Sequence, residues 1–197
     1  MSNSMSRDIL TILAIAITFY AFFPYIQNVY RGETKPHIFS WIIWGSTTLI
    51  VFFAQLSANA GIGAWPIGVS AVISIYIAVL AFQRKADQSI TLKDWIFFLF
   101  AIGALPIWYF SSDPLWAVVC LTIVDVLGFG PTLRKAYAFP FDENVFFFFL
   151  FFVRNMISIG ALESLSITTV LFPATIGFCC LFLILLILVR RRVKDAK

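Results

Sequence analysis

Val145 to Val153 reads VFFFFLFFV, a run without a single polar member. A half-buried strand would alternate, and a helix at the surface of a soluble domain would carry a polar stripe. A segment apolar on every side is what a lipid-embedded helix requires. The period-2 pattern of an outer-membrane barrel is missing here and throughout the chain. Working outward from this run, stretches of the roughly 20 apolar residues that cross a bilayer core recur at about 8 to 30, 36 to 57, 62 to 83, 93 to 111, 114 to 136, 144 to 164 and 168 to 190. The predicted fold is therefore an all-α membrane protein of seven transmembrane helices joined by short loops. Composition agrees, since 12% of the 197 residues are charged against about 25% in ordinary soluble domains. The first span follows Met1 to Arg7 in the manner of a signal peptide. Its apolar part is long and no small-residue cleavage site follows, so a retained helix is expected.

Charge then orients the spans. With the N-terminus outside, the inner loops carry Arg31 and Lys35, then Arg84, Lys85 and Lys93, then Arg134 and Lys135, and the tail carries Arg190, Arg191, Arg192, Lys194 and Lys197. That is twelve of the fourteen basic residues, and the positive-inside rule places them in the cytoplasm. The basic loops thus report topology and point to membrane lipid rather than nucleic acid.

A shift of 107 residues aligns Phe22, Pro24 and Tyr30 with Phe129, Pro131 and Tyr137, Trp65-Pro66 with Phe172-Pro173, and Arg84-Lys85 with Arg191-Arg192, all without a gap. Spans one to three map in this way onto spans five to seven. Each repeat has an odd number of helices, so the fourth span is needed to restore a parallel relation between the two. The predicted organisation is a first three-helix repeat over 1–90, a linker helix within 91–112 and a second three-helix repeat over 113–197. Repeats related by an axis along the membrane normal are a transporter device, with the solute site between the halves.

That topology, with FPYIQNVYRGETKPHIFSWIIWG running from Phe23 to Gly45 across the first helix, inner loop and second helix, resembles the PQ-loop, SWEET and PnuC-like group of small-solute transporters. The group carries a Pro-Gln dipeptide at the inner end of the first helix of each repeat. Here Pro24 and Pro131 hold the proline position, while Gln27 and Arg134 stand where glutamine is displaced or replaced. Thr34-Lys35 and Ser40 fit the following loop and serine; Phe141 to Asn144 departs from them. The second helices lack the hinge proline of SWEET-like members, since Pro36 and Pro140 fall in loops. The resemblance implies a parallel-repeat transporter. The chain also resembles a bacterial family without assigned activity, which implies the inner (plasma) membrane.

Several residues are candidates for the work. Pro24 and Pro131 each remove a helix hydrogen bond and act either as hinges or as static kinks. Pro66 and Pro173 are expected at helix starts. Asp125 and Arg154 each lie about 11 residues from a span end, hence roughly 16 Å deep at 1.5 Å per residue. Charges at that depth face the bundle interior and pair. Arg154 is expected either to bind an anionic group of a solute, with Asp125 neutralising it or carrying a proton, or to form a structural ion pair with Asp125. The equivalent positions of the first repeat are Thr18 and Thr47, so such a site is asymmetric. A second candidate face runs along span two through His37, Trp41, Trp44, Thr48 and Gln55. It fits the wall of a site for a ring-bearing solute or, for His37 and the tryptophans, an interfacial belt. Asn155, aligned with Thr48, faces it from the other repeat. Ser70, Ser74, Gln27 and Asn28 complete the polar lining, or serve as helix glue.

Cys120, Cys179 and Cys180 have no metal or disulfide spacing and are expected to be packing residues. One histidine, no paired intramembrane carboxylates and no nucleophile with a nearby base argue against an enzyme, and no cofactor is implied. The last span has no lysine for a retinal link. The expected function is transport of a small polar or ring-bearing solute such as a sugar, nucleoside or vitamin-like compound. The alternative is a non-enzymatic receptor or sensor, or an accessory subunit of a membrane complex, and a homo-oligomer is open to either.

Overall fold

The computed structural model describes residues 2–32, 38–84 and 92–195. Among these, seven α-helices follow one another: α1 Ser2–Tyr30, α2 Ile38–Ser57, α3 Trp65–Gln83, α4 Leu92–Ser111, α5 Pro114–Ala138, α6 Val145–Ala161 and α7 Ile167–Asp195. Single 3-10 turns, Gly61–Ala64 and Pro140–Asp142, precede α3 and α6. No strand occurs among the described residues. Four segments are long and apolar enough to cross a membrane, Ser4–Tyr30, Ile38–Ser57, Gly61–Gln83 and Ile167–Asp195. Shorter apolar stretches occupy Phe98–Ser111, Pro114–Phe129 and Val145–Ala161.

Local chemistry sets the helix ends. Gly32, at φ +75°, closes α1 in the left-handed conformation that only glycine adopts without strain. The Asp113 carboxylate accepts from Leu115 N (2.9 Å) at the start of α5. Asn144 caps α6, its Oδ1 accepting from Phe147 N (3.2 Å), which satisfies one of the free donors of a first turn. Pro66 sits in the first turn of α3, where its missing N–H costs nothing. Pro173 does not start a helix. It lies inside α7, which begins at Ile167, because the turn that delays α3 has no counterpart before α7.

Polarity is distributed inside out. Arg154, Asp125, Asn155, Thr47 and Gln55 are buried, whereas Phe82, Phe110 and Phe178 are among many large apolar side chains left exposed. Water would not tolerate such a surface, and a lipid solvent favours it.

Helix neighbours follow a regular order. The third helix of each set lies between the first and second: α3 packs on α1 and α2, and α7 packs on α5 and α6. The sets meet through α1 on α6 and α2 on α5, with α4 lying against α5 and α2. Exchanging α1 with α5, α2 with α6 and α3 with α7 returns these six contacts to themselves. At one end of the bundle the two loops that lead into α3 and α7 touch, Glu163 N donating to Ala60 O (3.0 Å). At the other end the Arg84 guanidinium lies over Tyr30 (5.3 Å) and Arg190 over Tyr137 (3.9 Å). These are the basic ends of α3 and α7 folded onto the aligned tyrosines that end α1 and approach the end of α5.

Candidate functional site

Arg154 stands in the middle of α6 and gathers three helices. Its Nε donates to Thr18 Oγ1 of α1 (3.2 Å), and Nη2 donates to the Pro66 carbonyl (2.6 Å) and Ser70 Oγ (2.5 Å) of α3. Nη1 donates to Asn155 Oδ1 (3.1 Å) on its own helix. The acceptors are themselves held in place. Thr18 Oγ1 donates to Ala14 O (2.8 Å), Ser70 Oγ to Pro66 O (3.1 Å) and Asn155 Nδ2 to Phe151 O (2.7 Å). The Phe151 ring adds its face at 5.8 Å. Hydroxyls on one helix that back-bond to the preceding turn keep a lone pair free for a neighbour, which is how short polar side chains join helices in lipid.

Asp125, on α5, receives Thr47 Oγ1 of α2 (3.3 Å), and that hydroxyl also faces Trp44 O (3.0 Å). Asp125 and Arg154 form no ion pair. They were expected to meet because residue counting placed them at equal depth on consecutive spans, but α5 and α6 share no substantial contact. Instead each charge meets the residue aligned with the other. Arg154 bonds Thr18, the counterpart of Asp125, and Asp125 bonds Thr47, the counterpart of Arg154. Two positions, each present once per set, are thus paired crosswise.

The remaining predicted residues divide by location. Trp41 and Trp44 join an aromatic cluster on the basic-loop side of Arg154. Trp41 meets Trp44 edge to face (5.4 Å), lies tilted against Tyr25 (5.1 Å) and reaches Phe22 (6.3 Å), and Phe22 in turn meets Phe151 (5.4 Å). Trp41 and Thr48 are buried, whereas Trp44 keeps 38% of its surface. Gln55 lies away from this cluster. It is fully buried near the opposite end, where Nε2 donates to Thr169 O (2.6 Å). Pro173 has no N–H to give that carbonyl four residues earlier, so α2 supplies the donor that α7 lacks. Ser74 is buried on α3 one turn from Ser70. Pro24 falls inside α1; of Pro131 the helical backbone alone is described, and His37 lies outside the described residues.

Sequence reasoning counted Thr18 and Thr47 as mere counterparts of the charges and not as site residues. Nothing in the sequence set them beside the charges, because the spacing of the repeat does not say which helices of the two sets meet. Two hollows lie elsewhere. One of about 580 Å³ runs along Ser166, Val170 and Ala174 at the start of α7, and one of about 90 Å³ lies between α5 and α7 at Phe129, Leu133 and Phe178. Arg154 is therefore a packed polar junction in this conformation. Compared with protein-family models, curated proteins and solved structures, the chain matches none.

Proposed function

We propose that the chain is an integral membrane transporter of a small polar or ring-bearing solute, working by alternating access between two parallel three-helix halves, α1–α3 and α5–α7, linked by α4. The observation that carries this is the crosswise pairing of Thr18 with Arg154 and Thr47 with Asp125. A two-fold axis along the membrane normal generates such crossing, and the exchange-related helix order supports the same relation. Mid-membrane charges are costly and mark function, and these two sit on the seam between the halves, where transporters with such repeats form their solute sites. Trp41 and Trp44 with Thr48 and Asn155 line that seam toward the basic end. The basic loops orient it in the plasma membrane with the N-terminus outside and the C-terminus in the cytoplasm.

Counterflow in proteoliposomes with a panel of labelled sugars, nucleosides and vitamins tests this. At least one class of solute is expected to exchange. Asp125→Asn keeps the volume and an oxygen for the Thr47 hydroxyl, so it is expected to leave stability within about 1 kcal/mol while exchange falls to background. Wild-type exchange by a folded Asp125→Asn protein would remove Asp125 from the site. A folded protein that exchanges nothing would turn the weight to a receptor or accessory role.

A further inference from the structure

A guanidinium has five N–H donors. At Arg154 four are engaged, and every acceptor is a neutral oxygen: Thr18, Pro66, Ser70 and Asn155. The fifth, on Nη1, has no acceptor among the described residues, and among them no carboxylate pairs with the group; Asp125 is bonded to Thr47 instead. Arg154 is 4% exposed. Neutral dipoles lower the energy of a buried cation without cancelling its charge. On its basic-loop side lie the rings of Phe151, Phe22 and Trp41. A full charge held in a fork, lacking a counter-charge and flanked by aromatic surface, is complementary to one ligand chemistry.

Resting on the transport reading, we infer that the solute is an organic anion whose carboxylate or phosphate oxygens seat on Arg154 while its apolar or ring-shaped body lies against Phe151, Phe22 and Trp41. The planar fork suits two oxygens at once. The two longer bonds, to Thr18 (3.2 Å) and Asn155 (3.1 Å), are the ones the anion replaces, and the shorter pair keeps Arg154 fixed on α3. Replacing Thr18 also frees α1 from Arg154 while the bonds to Pro66 and Ser70 hold α3, which couples occupancy to the packing of α1 on α6.

The test uses pairs that differ in the anionic group: benzoate with the near-isosteric benzamide, indole-3-acetate with indole-3-acetamide, and uridine 5′-monophosphate with uridine, which lacks the phosphate. Thermal unfolding of the purified full chain is expected to shift upward with the anionic member of at least one pair and not with its neutral partner. Whether carboxylate or phosphate pairs respond tells the two headgroups apart. Arg154→Lys keeps the charge but loses the fork, and is expected to weaken that binding about ten- to a hundredfold. Equal stabilisation by neutral and anionic members overturns the inference and leaves transport standing. So does exchange of neutral solutes without any response to anions. Absence of both binding and exchange across the panel overturns the inference together with the transport reading.

Discussion

Arg154→Ala is expected to lower the stability of the folded protein by about 2–4 kcal/mol and to bring solute exchange to background. Three of its hydrogen bonds, to Thr18, Pro66 and Ser70, cross to other helices. Interhelical bonds in lipid average about 0.6 kcal/mol and reach about 1.7, and a charged donor belongs at the upper end. Two effects temper the loss. Thr18 and Ser70 retain their own acceptors, Ala14 O and Pro66 O, so no hydroxyl hydrogen is orphaned, and removing a buried cation relieves its desolvation cost. Unfolding in graded denaturing detergent, followed alongside counterflow, measures both. Full stability with full exchange would mean that Arg154 neither ties the helices nor meets the solute.

A second large effect is expected where no charge is involved. Gly63 lies in the 3-10 turn before α3, and a Cβ there would stand 2.6 Å from the carbonyl carbon of Ala161 and from the amide nitrogen of Leu162 at the end of α6. Those are backbone atoms, which cannot rotate aside. Gly63→Ala is therefore expected to cost about 3 kcal/mol, the upper end of overpacking. Gly160→Ala is the control. Its nearest contact would be Leu10 Cδ1 at 3.6 Å, ordinary van der Waals distance, and alanine is the better helix former. The thermal midpoint of Gly63→Ala should fall by many degrees while that of Gly160→Ala stays level or rises. Equal midpoints would contradict the close approach of this turn to α6.

Much of the helical layout was legible because lipid demands long apolar runs. Each of the seven predicted spans coincides with a helix, and the boundaries differ by a few residues at most ends. Helices continue past the apolar core at both termini, α1 starting at Ser2 and α7 running to Asp195. Helix extent is governed by backbone hydrogen bonding and not by hydropathy. Pro173 was misplaced because position in an apolar run does not reveal where the preceding loop ends. The partners of Asp125 and Arg154 were hidden for a different reason. Position along each helix was readable from residue counts, but lateral neighbours depend on the order in which helices pack, and α7 intervenes between α5 and α6. Gln55 carries the same lesson, since its partner is a carbonyl released by a proline 118 residues further along the chain.

The central claim is that two halves, tied crosswise at Thr18–Arg154 and Thr47–Asp125, move against each other to pass a solute. Ala60 and Glu163 join the halves at the end away from the basic loops through a 3.0 Å backbone bond, and neither belongs to the proposed site. Counterflow through an Ala60→Cys/Glu163→Cys protein, joined by oxidation or by a short bifunctional thiol reagent, tests the movement most directly. Exchange is expected to stop when the pair is joined by oxidation and to return on reduction. Exchange continuing at the wild-type rate through the fully joined protein would contradict alternating access between these halves.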